Sequence, residues 1–290
     1  MTAYFDTRIV IALCIFGTLL SPSASRASEY VSVQSGGNRD KEERGRPEMP
    51  LLSPADSMKK AHVREGFTLQ LVAAEPLVVD PVAIDWGADG RLWVAEMADY
   101  PMGIDGKGKP GGRVRYLEDT TGDGHYDKST LFLEGIRFPT GILAWRDGVL
   151  VTAAPEIFFA EDRDGDGKAD VRTTLFSGFL EGNQQLRVNG LRVGLDNWVY
   201  CASGSPHSGY GKESQIKSHL TGQSIQVGSR DFRIQPDTGL IEAQSGPSQY
   251  GRVRDDWGNW FGVQNSHPLW HYVLADHDIR RNPHFAPPDP

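Results

Sequence analysis

Val82-Ala-Ile-Asp-Trp-Gly-Ala-Asp-Gly-Arg-Leu-Trp-Val-Ala-Glu96 reads as two short strands around a tight Asp-Gly turn. The Asp-Gly pair supplies the positive φ angles that a two-residue hairpin needs. The same layout returns in Gly141-Ile-Leu-Ala-Trp-Arg-Asp-Gly-Val-Leu-Val-Thr-Ala-Ala154 and in Gly190-Leu-Arg-Val-Gly-Leu-Asp-Asn-Trp-Val-Tyr-Cys-Ala-Ser-Gly204. It appears a fourth time in Tyr250-Gly-Arg-Val-Arg-Asp-Asp-Trp-Gly-Asn-Trp-Phe-Gly-Val263. The turn aspartates Asp89, Asp147, Asp196 and Asp256 stand 58, 49 and 60 residues apart.

Further strand pairs lie between these hairpins: 113–117 with 130–133, 156–160 with 173–176, and 231–235 with 240–243. Two hairpins per unit make a four-stranded blade, and ~40–50 residues per blade is the propeller period. The fold expected is therefore all-β, a β-propeller of four-stranded blades with about four blades in this chain. Gly and Pro together number 51 of 290 residues, which suits many short strands and tight turns. The proline-rich stretch 282–290 reads as mid-chain, so the propeller over 53–290 is expected to be the front part of a longer one.

Two loops carry cation chemistry. Asp162-Arg-Asp-Gly-Asp-Gly-Lys-Ala-Asp170 puts carboxylates at positions 1, 3, 5 and 9 and glycine at 6. That spacing wraps Asp162, Asp164, Asp166 and Asp170 around one Ca²⁺, with Lys168 offering its backbone carbonyl. Position 12 is Thr173 instead of the bidentate glutamate of an EF-hand, and strands flank the loop. Asp119-Thr-Thr-Gly-Asp-Gly-His-Tyr-Asp127 repeats the pattern with Asp119, Asp123 and Asp127, but Thr121 replaces one carboxylate. A glycine-rich turn with solvated acids is the alternative for both. Because the loops join outer strands, any calcium there is expected to be structural.

In a propeller the loops entering the inner strands, and those leaving the second strands, converge on one mouth of the central channel. Here they hold Glu96, Asp99, Tyr100, Pro139, Thr140, Asn183, Gln184, Gln185, Arg187, Asn189, His207, Gln249, Arg252, Asn265 and His267. The Asp/Gly loops recur at an offset of 43 and the following inner strands at 49, so six residues are added between Gly178 and Asn189. The added stretch carries amides and an arginine, which suits ligand contact at the mouth as well as it suits a merely lengthened loop. His207 and His267 are the candidate catalytic bases, since histidine titrates near neutral pH. A solvated loop histidine, or a packed connection around Trp270 and Tyr272, is the competing reading.

The N-terminus points to export. Arg8 precedes an apolar run, Ile9 to Leu20, too short to span a ~30 Å bilayer core. Ser25 and Ala27 then occupy the −3 and −1 positions of a cleavage site, giving a signal peptide over 1–27 and a periplasmic or extracellular destination. No integral membrane span is expected after its removal. Residues 28–52 offer almost nothing to bury and read as a disordered linker. Ser53, followed by Pro54, is expected to cap a short helix reaching about Val63. Without 1–27 the chain has 28 basic and 37 acidic residues, net −9, which disfavours nucleic acid as a partner. Cys201 is then the single cysteine, and neither a Cys-x-x-Cys-His haem site nor a zinc cluster is present.

From Gly66-Phe67 onward, over about 220 residues, the chain resembles the N-terminal propeller of the membrane-bound dehydrogenases of the planctomycete type. The resemblance is carried by Ala74-Glu-Pro-Leu-Val-Val-Asp-Pro81, Gly90-Arg-Leu-Trp-Val-Ala-Glu-Met97, Phe138-Pro-Thr-Gly141, Glu181-Gly-Asn-Gln-Gln185, Asp255-Asp-Trp-Gly-Asn-Trp260 and Asn265-Ser-His-Pro-Leu-Trp-His-Tyr272. It implies the six-bladed propeller of soluble glucose and sorbosone quinoprotein dehydrogenases. It also implies pyrroloquinoline quinone (PQQ) over the channel mouth, calcium, and in longer members a c-type haem acceptor. A histidine ahead of an inner strand is the base in such enzymes, and the resemblance places Leu186 at that position. The expected activity is oxidation of a sugar or alcohol, with Glu96, Asn183, Gln184, Gln185, Arg187, Asn189, Arg252 and Asn265 around the cofactor. The alternative is a non-catalytic, calcium-stabilised propeller that binds glycans or partner proteins.

Overall fold

The computed structural model describes residues 52–204, 215–228, 230–282 and 284. The chain divides into two units, Met1–Val72 and Ala73–Pro290. In the first, helix α1 spans Pro54–Lys60, with Pro54 at its start and the Ser53 hydroxyl accepting from Asp56 N at 3.1 Å. The helix stops short of Val63 because Ala61 is already extended. Among the described residues, no helix is long and apolar enough to cross a membrane.

The second unit is built from antiparallel sheets. Strands β1 (Pro81–Trp86), β2 (Leu92–Glu96), β3 (Gly112–Glu118) and β4 (Lys128–Ile136) pair in sequence order. The next blade is β5 (Gly141–Trp145), β6 (Gly148–Ala153), β7 (Glu156–Glu161) and β8 (Val171–Ser177), again in order. The third comprises β9 (Asn189–Val193), β10 (Val199–Ala202), β13 (Phe232–Gln235) and β14 (Leu240–Ala243). The fourth has three described strands, β15 (Arg252–Arg254), β16 (Trp260–Gln264) and β17 (His267–Tyr272). Successive first strands β1, β5, β9 and β15 are neighbours, so the sheets follow one another as blades of a β-propeller.

All three expected outer strand pairs form, within two residues of their expected ends at most positions. Two features differ from the sequence reading. The connection from β10 to β13 carries a small hairpin, β11 (Ile216–Ser218) and β12 (Ser224–Ile225), and β11 pairs with β8 of the preceding blade. These strands are too short for periodicity to show, and their place is set by the open edge of β8, which they cover. In the fourth blade, 267–272 forms a strand and not a packed connection.

The core lies between blades. Tyr116, Phe132 and Val114 of the first sheet pack with Val149, Val151 and Phe158 of the second. Leu150, Ile157 and Phe176 of the second pack with Val199, Phe232 and Ile234 of the third. Alternating strands supply these faces, and each fully buried aromatic stabilises by about 1.5–3 kcal/mol. Near the axis, Asp85 of β1 accepts from Ala144 N of β5 at 2.8 Å and lies 3.9 Å from Arg192 of β9. The Tyr250 hydroxyl donates to Val82 O at 2.6 Å. The first strands are thus tied to one another by polar groups where they converge.

Candidate functional site

Up-and-down strands send the β2–β3, β4–β5 and β8–β9 loops to one end of the propeller. The β1–β2, β5–β6, β9–β10 and β15–β16 turns and both Asp/Gly loops go to the other, whereas the β6–β7 and β16–β17 turns share the first end. At the first end the loops meet on Phe138, whose φ of 45° is rare for a bulky residue and marks local strain. Asp99, fully buried, accepts from Phe138 N at 2.9 Å through Oδ2, while its Oδ1 has no hydrogen-bond partner. Arg187 is buried with its guanidinium 4.9 Å from the Phe138 ring centroid. Its Nη2 donates to the carbonyls of Glu181 and Gly182 at 2.6 and 3.5 Å, but Nε and Nη1 are unpaired. Burial pushes the Arg187 pKa down, against the pull of Glu181.

An unpaired buried polar atom costs roughly 1–3 kcal/mol. Asp99 and Arg187 thus both leave buried polar atoms unpaired in loops at this end. Around them, Asn183 caps a 3₁₀ turn over Gln184–Leu186 by accepting from Gln185 N at 2.9 Å. Gln184 Nε2 reaches Pro101 O at 3.0 Å, and Gln185 Nε2 reaches the Tyr100 hydroxyl at 2.8 Å. The six added residues thus clasp the β2–β3 loop of the first blade.

Other expected cofactor residues are placed differently. Glu96 is fully buried and accepts from Val79 N at 2.8 Å, with Arg113 and Arg115 paired to it at 2.8 and 3.1 Å. Asn189 spends its amide on backbone: Nδ2 donates to Arg187 O and Gln249 O, and Oδ1 accepts from Gly251 N. It joins the third blade to the fourth. Arg252 lies between those two sheets instead of at the mouth, paired with fully buried Asp231 at 3.0 Å. The reason is alternation: Arg252 and Arg254 share one face of β15, and Val253 takes the other. Asn265 is exposed in the β16–β17 turn, at the same end as the β2–β3 loop, as expected. His267 is exposed at the start of β17, an outer strand, with its ring 5.2 Å from Trp270. His207 lies outside the described residues. Leu186 sits half-buried in the 3₁₀ turn.

Asp231 was missed by the sequence reading. It accepts from Ser203 N, Ser248 N, the Ser248 hydroxyl and Arg252, and nothing in its neighbours 230–232 announces those remote donors.

In the first Asp/Gly loop, Asp162 accepts from Gly165 N at 2.7 Å and Gly167 N at 2.8 Å. Those glycines have φ of 82° and 89°, which lets the chain wrap inward around the carboxylate. Carboxylate oxygens of Asp162, Asp164 and Asp166 lie within 4.8 Å of one another, an all-oxygen set suited to a hard cation. Asp170 instead accepts from Arg163 N at 3.3 Å. The second loop has the same turns, with Asp119 accepting from Gly122 N and Gly124 N. Among the described residues its carboxylates form no comparable cluster. The Gly167 and Gly124 amides hold Asp162 and Asp119, respectively, below the usual carboxylate pKa.

Residues 53–290 match the family described as Domain of unknown function (DUF7133). The chain belongs to this family. No curated protein matches it. Among solved structures, the DUF7133 chain is similar to the holo PQQ domain of a pyranose dehydrogenase from Coprinopsis cinerea, at 16% identity and a TM-score of 0.44, over 70% of this chain and 47% of that one. It is also similar to a luciferin-regenerating enzyme, at 12% identity and a TM-score of 0.41, over 65% of this chain and 58% of that one. The chain thus spans about half the length of these proteins. The blade arrangement stands on the chain's own strand pairing.

Proposed function

We propose that this DUF7133 propeller belongs to an exported protein and binds a small polar ligand, of the sugar or alcohol class, at the mouth formed by the β2–β3, β4–β5 and β8–β9 loops. The observation that carries this reading is the pair of buried residues with unsatisfied polar atoms, Asp99 and Arg187, meeting on Phe138. Asp99 offers an acceptor for a hydroxyl, and Arg187 offers two donor nitrogens.

Quinone-dependent oxidation, with electrons passed on to a c-type haem, is the activity that the dehydrogenase resemblance supports. Of the cations near this end, Arg113 and Arg115 are spent on Glu96, while Arg187 keeps two open donor nitrogens for an anionic or hydroxyl group. No described histidine stands in these mouth loops, and Leu186 has no proton to take or give. Binding without turnover is therefore the reading adopted.

The test is calorimetric titration with a panel of monosaccharides and polyols, beside dye-reduction assays with PQQ and calcium added. Binding without dye reduction, weakened at least tenfold by Arg187→Met, supports the reading. Turnover by the unaltered chain overturns it, and turnover only in Leu186→His identifies a decayed enzyme.

Calcium is proposed as a structural ligand of Asp162, Asp164 and Asp166, with the Lys168 carbonyl and Asp170 completing the shell, and of the Asp119, Asp123 and Asp127 loop. It supplies charge neutralisation and loop rigidity. Thermal melting with calcium and with chelator tests this: a melting temperature insensitive to calcium removes the proposal.

A further inference from the structure

A second place in the propeller combines a cavity with unsatisfied buried donors. Between the third and fourth sheets lies a cavity of about 250 Å³. An engineered apolar cavity of ~150 Å³ already takes a benzene, so this space admits a substituted six-membered ring. One wall is aromatic: Tyr200 and Trp260 pack with ring centroids 4.0 Å apart, and Tyr272 stands beside them.

The polar lining is rich in unpaired donors. Gln244 is 1% exposed and its Nε2 has no partner, and Arg252, 3% exposed, leaves its Nε unpaired. Arg254 Nε is also unpaired. These three orphans are donors; His277, also in the lining, leaves its Nδ1 unpaired, a ring nitrogen that donates or accepts according to its tautomer. The charge of Arg252 is balanced by Asp231 at 3.0 Å, and Asp196 on the rim is balanced by Arg233 at 2.8 Å. Arg254 donates through Nη1 only to a backbone carbonyl, that of Asp255, and has no carboxylate partner among the described residues. The cavity therefore carries one uncompensated positive charge, unpaired N–H groups and a flat apolar wall. A ring-bearing anion satisfies all three, because a carboxylate accepts from guanidinium and amide while the ring covers the aromatic face.

We propose that this cavity binds a small organic carboxylate of hexuronate size, with Arg254 and Gln244 holding the carboxylate and Trp260 covering the ring. The site is separate from the channel mouth, shares no residue with it, and does not depend on the reading given to it.

The test is titration of the full chain with glucuronate, benzoate and glucose, followed by heat and by tryptophan fluorescence. Glucuronate or benzoate is expected to bind at least tenfold more tightly than glucose. Glucuronate ahead of benzoate identifies a sugar acid, and the reverse order an aromatic acid. Removing a charged hydrogen bond makes Arg254→Gln at least tenfold weaker, while Arg254→Lys retains part of the affinity. Gln244→Leu weakens binding independently, and circular dichroism confirms that each variant folds. Equal affinity for glucose and the two acids, no binding of either acid, or unchanged affinity in folded Arg254→Gln would each overturn the proposal.

Discussion

The two ends of the propeller are held together in opposite ways. At the turn end most loops are closed by their own aspartate: Asp162 accepts from residues three and five positions on, and Asp255 from residues two and four on, while the β5–β6 turn is the exception, tied through Trp145 and Arg146 to Asp237. At the mouth end the bonds are long-range. Asp99 reaches Phe138, Gln185 reaches Tyr100, and Asp231 gathers donors 17 to 28 residues away. Local closure costs little chain entropy and leaves the turns that use it self-sufficient. Long-range closure makes the mouth cooperative, so that its unsatisfied groups are held in place by the fold as a whole.

The largest break in this comparison should come from Asp231→Ala. It strands the Arg252 charge between two sheets, which costs about 3–5 kcal/mol, a fall in melting temperature on the order of 10 °C by calorimetry. Asp231→Asn should recover part of it by keeping an acceptor.

At the turn end, Asp162→Ala should lower the melting temperature by roughly 5 °C in calcium and by less in chelator. Its carboxyl pKa is lowered in the folded state by the Gly167 amide. The stability it contributes is therefore present above the ordinary aspartate pKa and is lost as pH falls through the lower folded value. The gap between native and variant melting curves should close in acid, and a gap that persists there would break the assignment.

Asp85→Asn should act with the opposite sign. Burial raises the Asp85 pKa, so its favourable contribution is present in acid and is lost as pH rises through the folded value. Asparagine keeps the acceptor for Ala144 N without the charge, and the variant should melt about 2 °C higher at neutral pH but not in acid. Gln185→Ala should be smallest, within about 1 °C, because the bond to Tyr100 is exposed. Its signature should be faster amide exchange in the β2–β3 loop.

How much was legible follows the same division. The places of the four inner hairpins and of the three outer strand pairs are legible because each lies within about 25 consecutive residues. The turn type is not: 87–91, 194–198 and 255–259 are five-residue loops, and the two-residue Arg146-Asp147 turn has its positive φ at Arg146. At the mouth the sequence shows only a neighbourhood, in which Glu96, Asn189 and Arg252 are expected to face a ligand. Each is instead positioned by partners remote in sequence or by strand alternation: Arg113 and Arg115, the Gly251 amide, and Asp231. The β11–β12 hairpin and the cavity beside Trp260 left no sequence signature, since both exist only through neighbouring sheets.

The sequence by itself determined the blade repeat, the positions of the inner hairpins and the carboxylate spacing of the two Asp/Gly loops, because glycine φ, short-range Asx bonding and strand alternation are local properties. Only the tertiary structure decided which buried charges neutralise one another and which are left unsatisfied. That choice depends on how successive sheets face each other, and it is what separates the structural Arg252 from the open Arg187.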